Sequence, residues 1–138
     1  MNRKYLLGFI CISLLAVAQA CSTDTKARRF GSVTGLKQEK MAYYKELHAK
    51  AWPGVLKTIR ECNIRNYSIY LQKIDSAYYL FSYFEYTGKD FEADMKKMAA
   101  DTLTQRWWKE TAPCQQPLPE AAAAGKTWTD MEEVFHTD

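Results

Sequence analysis

A chain of 138 residues with 47% hydrophobic side chains and a formal net charge of +3 is long enough to bury one core and too short for two. Its 19 basic residues stand against 16 acidic ones without a clustered basic stripe, so nucleic acid is not an expected partner and Lys96-Lys97 reads as a solvated helix face. No Cys-x-x-Cys, His-x-x-x-His or His-Glu-x-x-His occurs, so the usual ligand spacings give no metal site.

Arg3 and Lys4 precede an apolar stretch from Leu6 to Ala18 that closes in Ala18-Gln19-Ala20-Cys21. This reads as an export signal over residues 1–20, too short and too lightly flanked for a spanning helix, which needs about 20 apolar residues. Its end has two readings. Ala18-x-Ala20 suits ordinary cleavage, while the small residue before Cys21 suits a bacterial lipoprotein site at which Cys21 carries the lipid anchor. Against the second, Ala18 stands where leucine is usual and Gln19 where a small residue is usual. Either reading places the mature chain in the periplasm or outer cell envelope. Loss of Arg3 and Lys4 lowers the formal charge from +3 to +1.

Residues 21–27 read as a polar tether and residues 28–138 as a single domain. Phe30, Val33 and Leu36 among small residues predict a first strand over Arg29 to Leu36. From Lys37 the residues Met41, Tyr44, Leu47 and His48 recur at helical steps, and Trp52, Val55, Leu56 and Ile59 extend that face. Pro53 removes a donor and clashes with the preceding turn, so a break is expected near Ala51 and Trp52. The β-forming runs Arg65 to Leu71 and Ala77 to Tyr86 flank Asp75-Ser76 and predict an antiparallel hairpin. After Gly88, Phe91, Met95 and Met98 mark a second helix over Asp90 to Ala100, with acids early and lysines late, as its dipole favours. Asp101 or Thr102 can cap a further short helix bearing Trp107 and Trp108. Pro113 to Gly125 reads as a connection, and Trp128 to Phe135 as a last strand.

The order β, α, β, β, α, β is that of the ferredoxin-like split unit, an α+β fold with one antiparallel sheet and helices on one face. The other face would be buried by a twin subunit or would line a pocket. Cys11 leaves with the signal. Cys62 and Cys114 could pair in an oxidising compartment or lie apart as small buried hydrophobes.

Paired indoles on a polar segment, Thr104-Gln105-Arg106-Trp107-Trp108-Lys109, suggest a platform for a sugar, whose ring offers a face of C–H groups and a rim of hydroxyls. The alternative is that both fill the core. Tyr44 and His48 sit four positions apart on one helix face, so they can serve one site. Imidazole is the side chain that exchanges protons near neutral pH, although a lone histidine is more often packed for structure. Tyr67 is at face value a β-former, and His136 a structural or solvated residue near the end.

Several less common residues fall in a fixed order: Tyr44-x-x-x-His48-x-x-x-Trp52-Pro53, Asn66-Tyr67-Ser68-Ile69-Tyr70-Leu71, Phe84-Glu85-Tyr86, Asp90-Phe91-Glu92-Ala93-Asp94-Met95, Thr104-Gln105-Arg106-Trp107-Trp108, Pro113-Cys114-Gln115 and Met131-Glu132-Glu133-Val134-Phe135. In these the sequence resembles the L-rhamnose mutarotase family, from about Arg28 to Asp138. The resemblance implies a ferredoxin-like α+β domain that dimerises in the manner of the dimeric α/β barrels. It implies an isomerase that interconverts the α and β anomers of L-rhamnose or a related sugar without a cofactor. His48 would be the general acid, and Tyr44, Tyr67, Trp107 and Trp108 would contact the sugar. Some members carry Asn-Pro directly after the histidine, where this chain has Ala49-Lys50, which leaves L-rhamnose, L-fucose and other sugars open. The same fold class also hosts cofactor-free monooxygenases. A surface sugar-binding lipoprotein without turnover is the other alternative.

Overall fold

The computed structural model describes residues 26–137. The first strand, β1 (Arg28–Leu36), leads through a short 3-10 turn into helices α1 (Met41–Ala49) and α2 (Pro53–Glu61). The break between them falls at Lys50 to Trp52, where proline was expected to force it. Pro53 occupies the first turn of α2, where its missing N–H costs nothing. The hairpin is β2 (Ile64–Ile74) and β3 (Ala77–Tyr86), turned at Asp75 with φ 53°. Then come α3 (Phe91–Ala100) and α4 (Thr102–Thr111). Asp90 and Asp101 cap them, their carboxylates accepting from the N–H of Ala93 and Thr104.

Two expectations about the C-terminal third need correcting. The stretch from Pro113 to Gly125 is more than a connection: it contains β4 (Gln115–Gln116) and α5 (Pro119–Ala123). The last strand, β5 (Thr129–Met131), is shorter than Trp128 to Phe135. From Glu132 the chain leaves the strand, with Val134 and Phe135 exposed and Glu133 paired with Arg29 of β1.

The strand order is β2-β3-β1-β4, with β5 sharing the β4 edge of β1 and every pairing antiparallel. This is the ferredoxin-like order, with α1–α2 and α3–α4 as the two crossovers. Successive strand residues alternate faces, and the buried Thr34, Leu36, Leu80 and Ser82 define the inner one. Two clusters hold the helices to it: Leu36, Tyr44, Leu80 and Cys114 at one end, and Cys62, Ile64 and Met98 at the other. Cys62 and Cys114 are free thiols in separate clusters, so each lies apart as a small buried hydrophobe.

Between those clusters the layers do not close, because β2 is bulged. Asn66 takes φ 50° and the register slips between Arg65 and Ser68. Two residues therefore stand opposite one, and Tyr67 turns inward to set its ring edge-on against Phe84. The Asn66 amide donates to Glu85 Oε2 at 2.7 Å and fixes the bulge.

Candidate active site

Tyr44 and His48 descend from consecutive turns of α1, as their spacing predicted, with ring centroids 4.1 Å apart. His48 Nδ1 lies 2.9 Å from the Tyr44 carbonyl oxygen. A carbonyl can only accept, so Nδ1 carries the proton and Nε2 keeps the free lone pair. Burial pushes the imidazole below its ordinary value of 6.5, partly offset by that carbonyl contact, so the neutral ring is the resting form at neutral pH.

The Tyr44 side chain is 4% exposed. Burial pushes its hydroxyl well above the ordinary tyrosine value, and the neighbouring Tyr67 pushes the same way. Tyr67 is raised by burial too. The residue is 45% exposed overall because it lines open cavity space. Both phenols are therefore fixed as protonated donors.

The two indoles separate. Adjacent helix positions point about 100° apart, so Trp107 and Trp108 cannot form one flat platform. Trp107 is 8% exposed and stands edge-on to His48 at 5.2 Å and to Trp52 at 5.4 Å between ring centroids. Arg106 covers Trp52 from outside. Trp108 is 42% exposed and forms the rim.

Tyr44, His48, Tyr67, Trp107 and Trp108 all line one cavity of about 500 Å³ between sheet and helices. Its floor and far wall come from residues that the pattern of the sequence did not single out. The Ser32 and Ser82 hydroxyls share a 2.7 Å hydrogen bond on the sheet floor. Gln115, Trp128 and Asp130 close the wall. A second chamber of about 460 Å³ opens on the other side of Tyr44, His48, Tyr67 and Trp107, and the aliphatic Leu36, Val55, Ile59, Leu71 and Leu80 line it. The serines gave no signal, since alternation in a strand does not tell a floor hydroxyl from a solvated one. Gln115 lay in the Pro113-Cys114-Gln115 motif but inside a stretch read as a connection.

A model of the L-rhamnose mutarotase family matches residues 29–137. The chain belongs to the L-rhamnose mutarotase family. The L-rhamnose mutarotases of Oceanobacillus iheyensis and Bacillus subtilis are each 30% identical over 111 residues, covering 80% of this chain and 99% of each relative. Family members are isomerases of carbohydrates. The crystal structure of an L-rhamnose mutarotase from Formosa agariphila superposes with a TM-score of 0.59 at 23% identity, covering 80% of this chain and 99% of that one. At that identity it speaks for the shared fold alone.

One expectation is corrected by these relatives. The matched region accounts for nearly the whole of them, so the segment read as a signal peptide with a lipoprotein site at Cys21 has no counterpart there. The lipoprotein reading has no support in the family and is withdrawn. Residues 1–25, Cys21 among them, lie outside the described residues.

Proposed function

We propose that the chain interconverts the α and β anomers of L-rhamnose or a sugar of closely related stereochemistry, with His48 as the proton carrier. The observation that supports it most is the single His48 tautomer, with Nδ1–H donated to Tyr44 O and an unprotonated Nε2 in a cavity shared with two phenols and two indoles.

Anomer exchange opens the hemiacetal, rotates about C1–C2 and closes it again. In opening, the C1–O5 bond breaks and its electron pair goes to O5, which takes a proton. The anomeric O1–H gives up its proton, and the electrons of that bond form the C1=O1 carbonyl. Closing reverses each transfer, so protons and electrons balance without a cofactor. His48 Nε2 is the base that takes the O1 proton and returns it on closing. Its role thus begins as base and ends as acid, where the family resemblance had assigned acid alone. Tyr44, held protonated by its surroundings, donates to the ring oxygen. Tyr67 and the Ser32–Ser82 pair reach hydroxyls, and Trp108 covers the C–H face at the rim.

The partner reading also goes forward as a proposal: the outer sheet face meets a second copy. Val33, Tyr70, Tyr79, Phe81 and Tyr83 share that face by register. Val134 and Phe135, 89% and 79% exposed, supply apolar side chains that a two-fold partner would cover.

Saturation transfer between anomeric protons, measured over L-rhamnose, L-fucose, L-mannose and L-lyxose, tests the activity. Exchange faster than in buffer is expected with L-rhamnose or a close relative. Exchange at the buffer rate for every sugar contradicts the reading.

A further inference from the structure

Tyr67 reaches the cavity because β2 changes step. Ile64 and Ile69 both face inward, opposite Tyr86 and Ser82 of β3, although residues five apart fall on opposite faces of a regular strand. The extra residue is taken up at Asn66 and Tyr67, between Arg65 and Ser68. Asn66 absorbs it in the left-handed region, φ 50°, which asparagine tolerates better than most side chains but which is still less favoured than extended backbone. Its side chain supplies the compensating contact, donating to Glu85 Oε2 at 2.7 Å.

Glu85 belongs to the other face of the sheet. It alternates with the inward Phe84 and Tyr86, and in register it stands between Arg29 of β1 and Arg65 of β2. Arg29 forks onto Glu133 at 2.7 and 3.0 Å, and Arg65 Nη1 donates to the backbone oxygens of Arg60 and Ile64. The Glu85 carboxylate accepts from Asn66 on Oε2 and from the Tyr83 hydroxyl on Oε1, the latter at 2.9 Å. Engaged on both oxygens, it is fixed in orientation, and an ionised acceptor makes each bond roughly twice as strong as a neutral pair. A carboxylate behind the sheet thus anchors the backbone that turns the Tyr67 ring edge-on to Phe84, 5.7 Å between centroids, and into the cavity shared with Tyr44 and His48.

We infer that Glu85 is a positioning residue for sugar binding: from the opposite face of the sheet, through the Asn66 bulge, it sets the pose of Tyr67. This rests on the mutarotase reading, in which Tyr67 contacts a sugar hydroxyl. It adds that the contact depends on a side chain that never meets the sugar.

The test is a double-mutant cycle on Glu85→Ala and Tyr67→Phe, with L-rhamnose as the probe. Saturation transfer gives kcat and KM, tryptophan fluorescence gives Kd, and thermal melting is followed alongside. Glu85→Ala should raise KM and Kd about three- to tenfold, the worth of one hydrogen bond, with kcat within about threefold of wild type, as loss of ground-state binding requires. In the Tyr67→Phe background, where the hydroxyl to be aimed is gone, the same substitution should change KM less than about twofold. Glu85→Gln should restore wild-type KM, because its amide oxygen can accept from Asn66 while its N–H donates to the Tyr83 oxygen. A merely structural glutamate predicts equal losses in both backgrounds. Should Glu85→Ala fail to fold, Asn66→Gly takes its place in the cycle, since glycine adopts the left-handed conformation freely but lacks the amide. Wild-type KM in the variant that removes the contact, or equal losses with and without the Tyr67 hydroxyl, overturns the inference and leaves the mutarotase reading standing. No exchange and no binding by the wild type counts against both.

Discussion

His48 is held by its own helix in one tautomer, and this makes its pH behaviour specific. Burial keeps the folded ring below its ordinary value of 6.5, so the acid limb of kcat/KM should lie below pH 6.5. A limb at or above that value would mean that His48 is not the titrating base. Stability follows the same shift: between the two pKa values the unfolded chain binds the proton and the folded chain does not, so this group lowers stability as pH falls through about 6.5. Urea midpoints across that range check it, and the contribution vanishes in His48→Ala. The paired indoles should also come apart in experiment. Trp107→Ala removes a buried wall and should cost about 3–5 kcal/mol. Trp108→Ala, on the rim, should leave the urea midpoint nearly unchanged and weaken sugar binding about three- to tenfold. Equal loss of folding in both variants would make the pair simple core.

Among the elements, the short β4 is the one with consequences beyond its length. Gly35→Ala would drive a Cβ into the Gln116 carbonyl, which is backbone and cannot rotate away. The expected result is a displaced β4, a melting temperature lower by about 4–8 °C and reduced kcat, since Gln115 of β4 lines the cavity. An unchanged melt with wild-type kcat would show that β4 does not need this close approach. The major elements were legible in the sequence because each carries a physical signature: helical spacing at Met41, Tyr44 and His48, a proline at position 53, acids at the caps of α3 and α4. The C-terminal third was not. A two-residue strand has no period to read, and β4 exists through its pairing with β1 rather than through its own propensity. The same limit hid half of the cavity. Tyr44, His48, Trp107 and Trp108 draw notice by residue type and spacing, and Tyr67 only through the family resemblance, since it is the bulge at Asn66 that turns it inward. Ser32 and Ser82, by contrast, matter because they face inward on the open floor, and Gln115 because the close approach at Gly35 brings β4 against β1.

Taken as one body, the domain has an inner face with a cavity and an outer face with an uncovered aromatic row. Phe81→Glu would set a charge in the middle of that row, opposite Val33 and Tyr70. Sedimentation should show a dimer for the wild type and a monomer for the variant. A monomeric wild type, or a dimer that survives the substitution, would remove the outer face as an interface. The cavity lies on the other side of the sheet, so the monomer should keep its fold.

The proposed chemistry depends above all on the imidazole. Anomeric saturation transfer on His48→Ala, with sugar affinity followed by tryptophan fluorescence, addresses it directly. General acid–base catalysis predicts a loss of about 10²- to 10⁴-fold in exchange rate, with affinity within about threefold of wild type. Exchange at the wild-type rate in His48→Ala would contradict it.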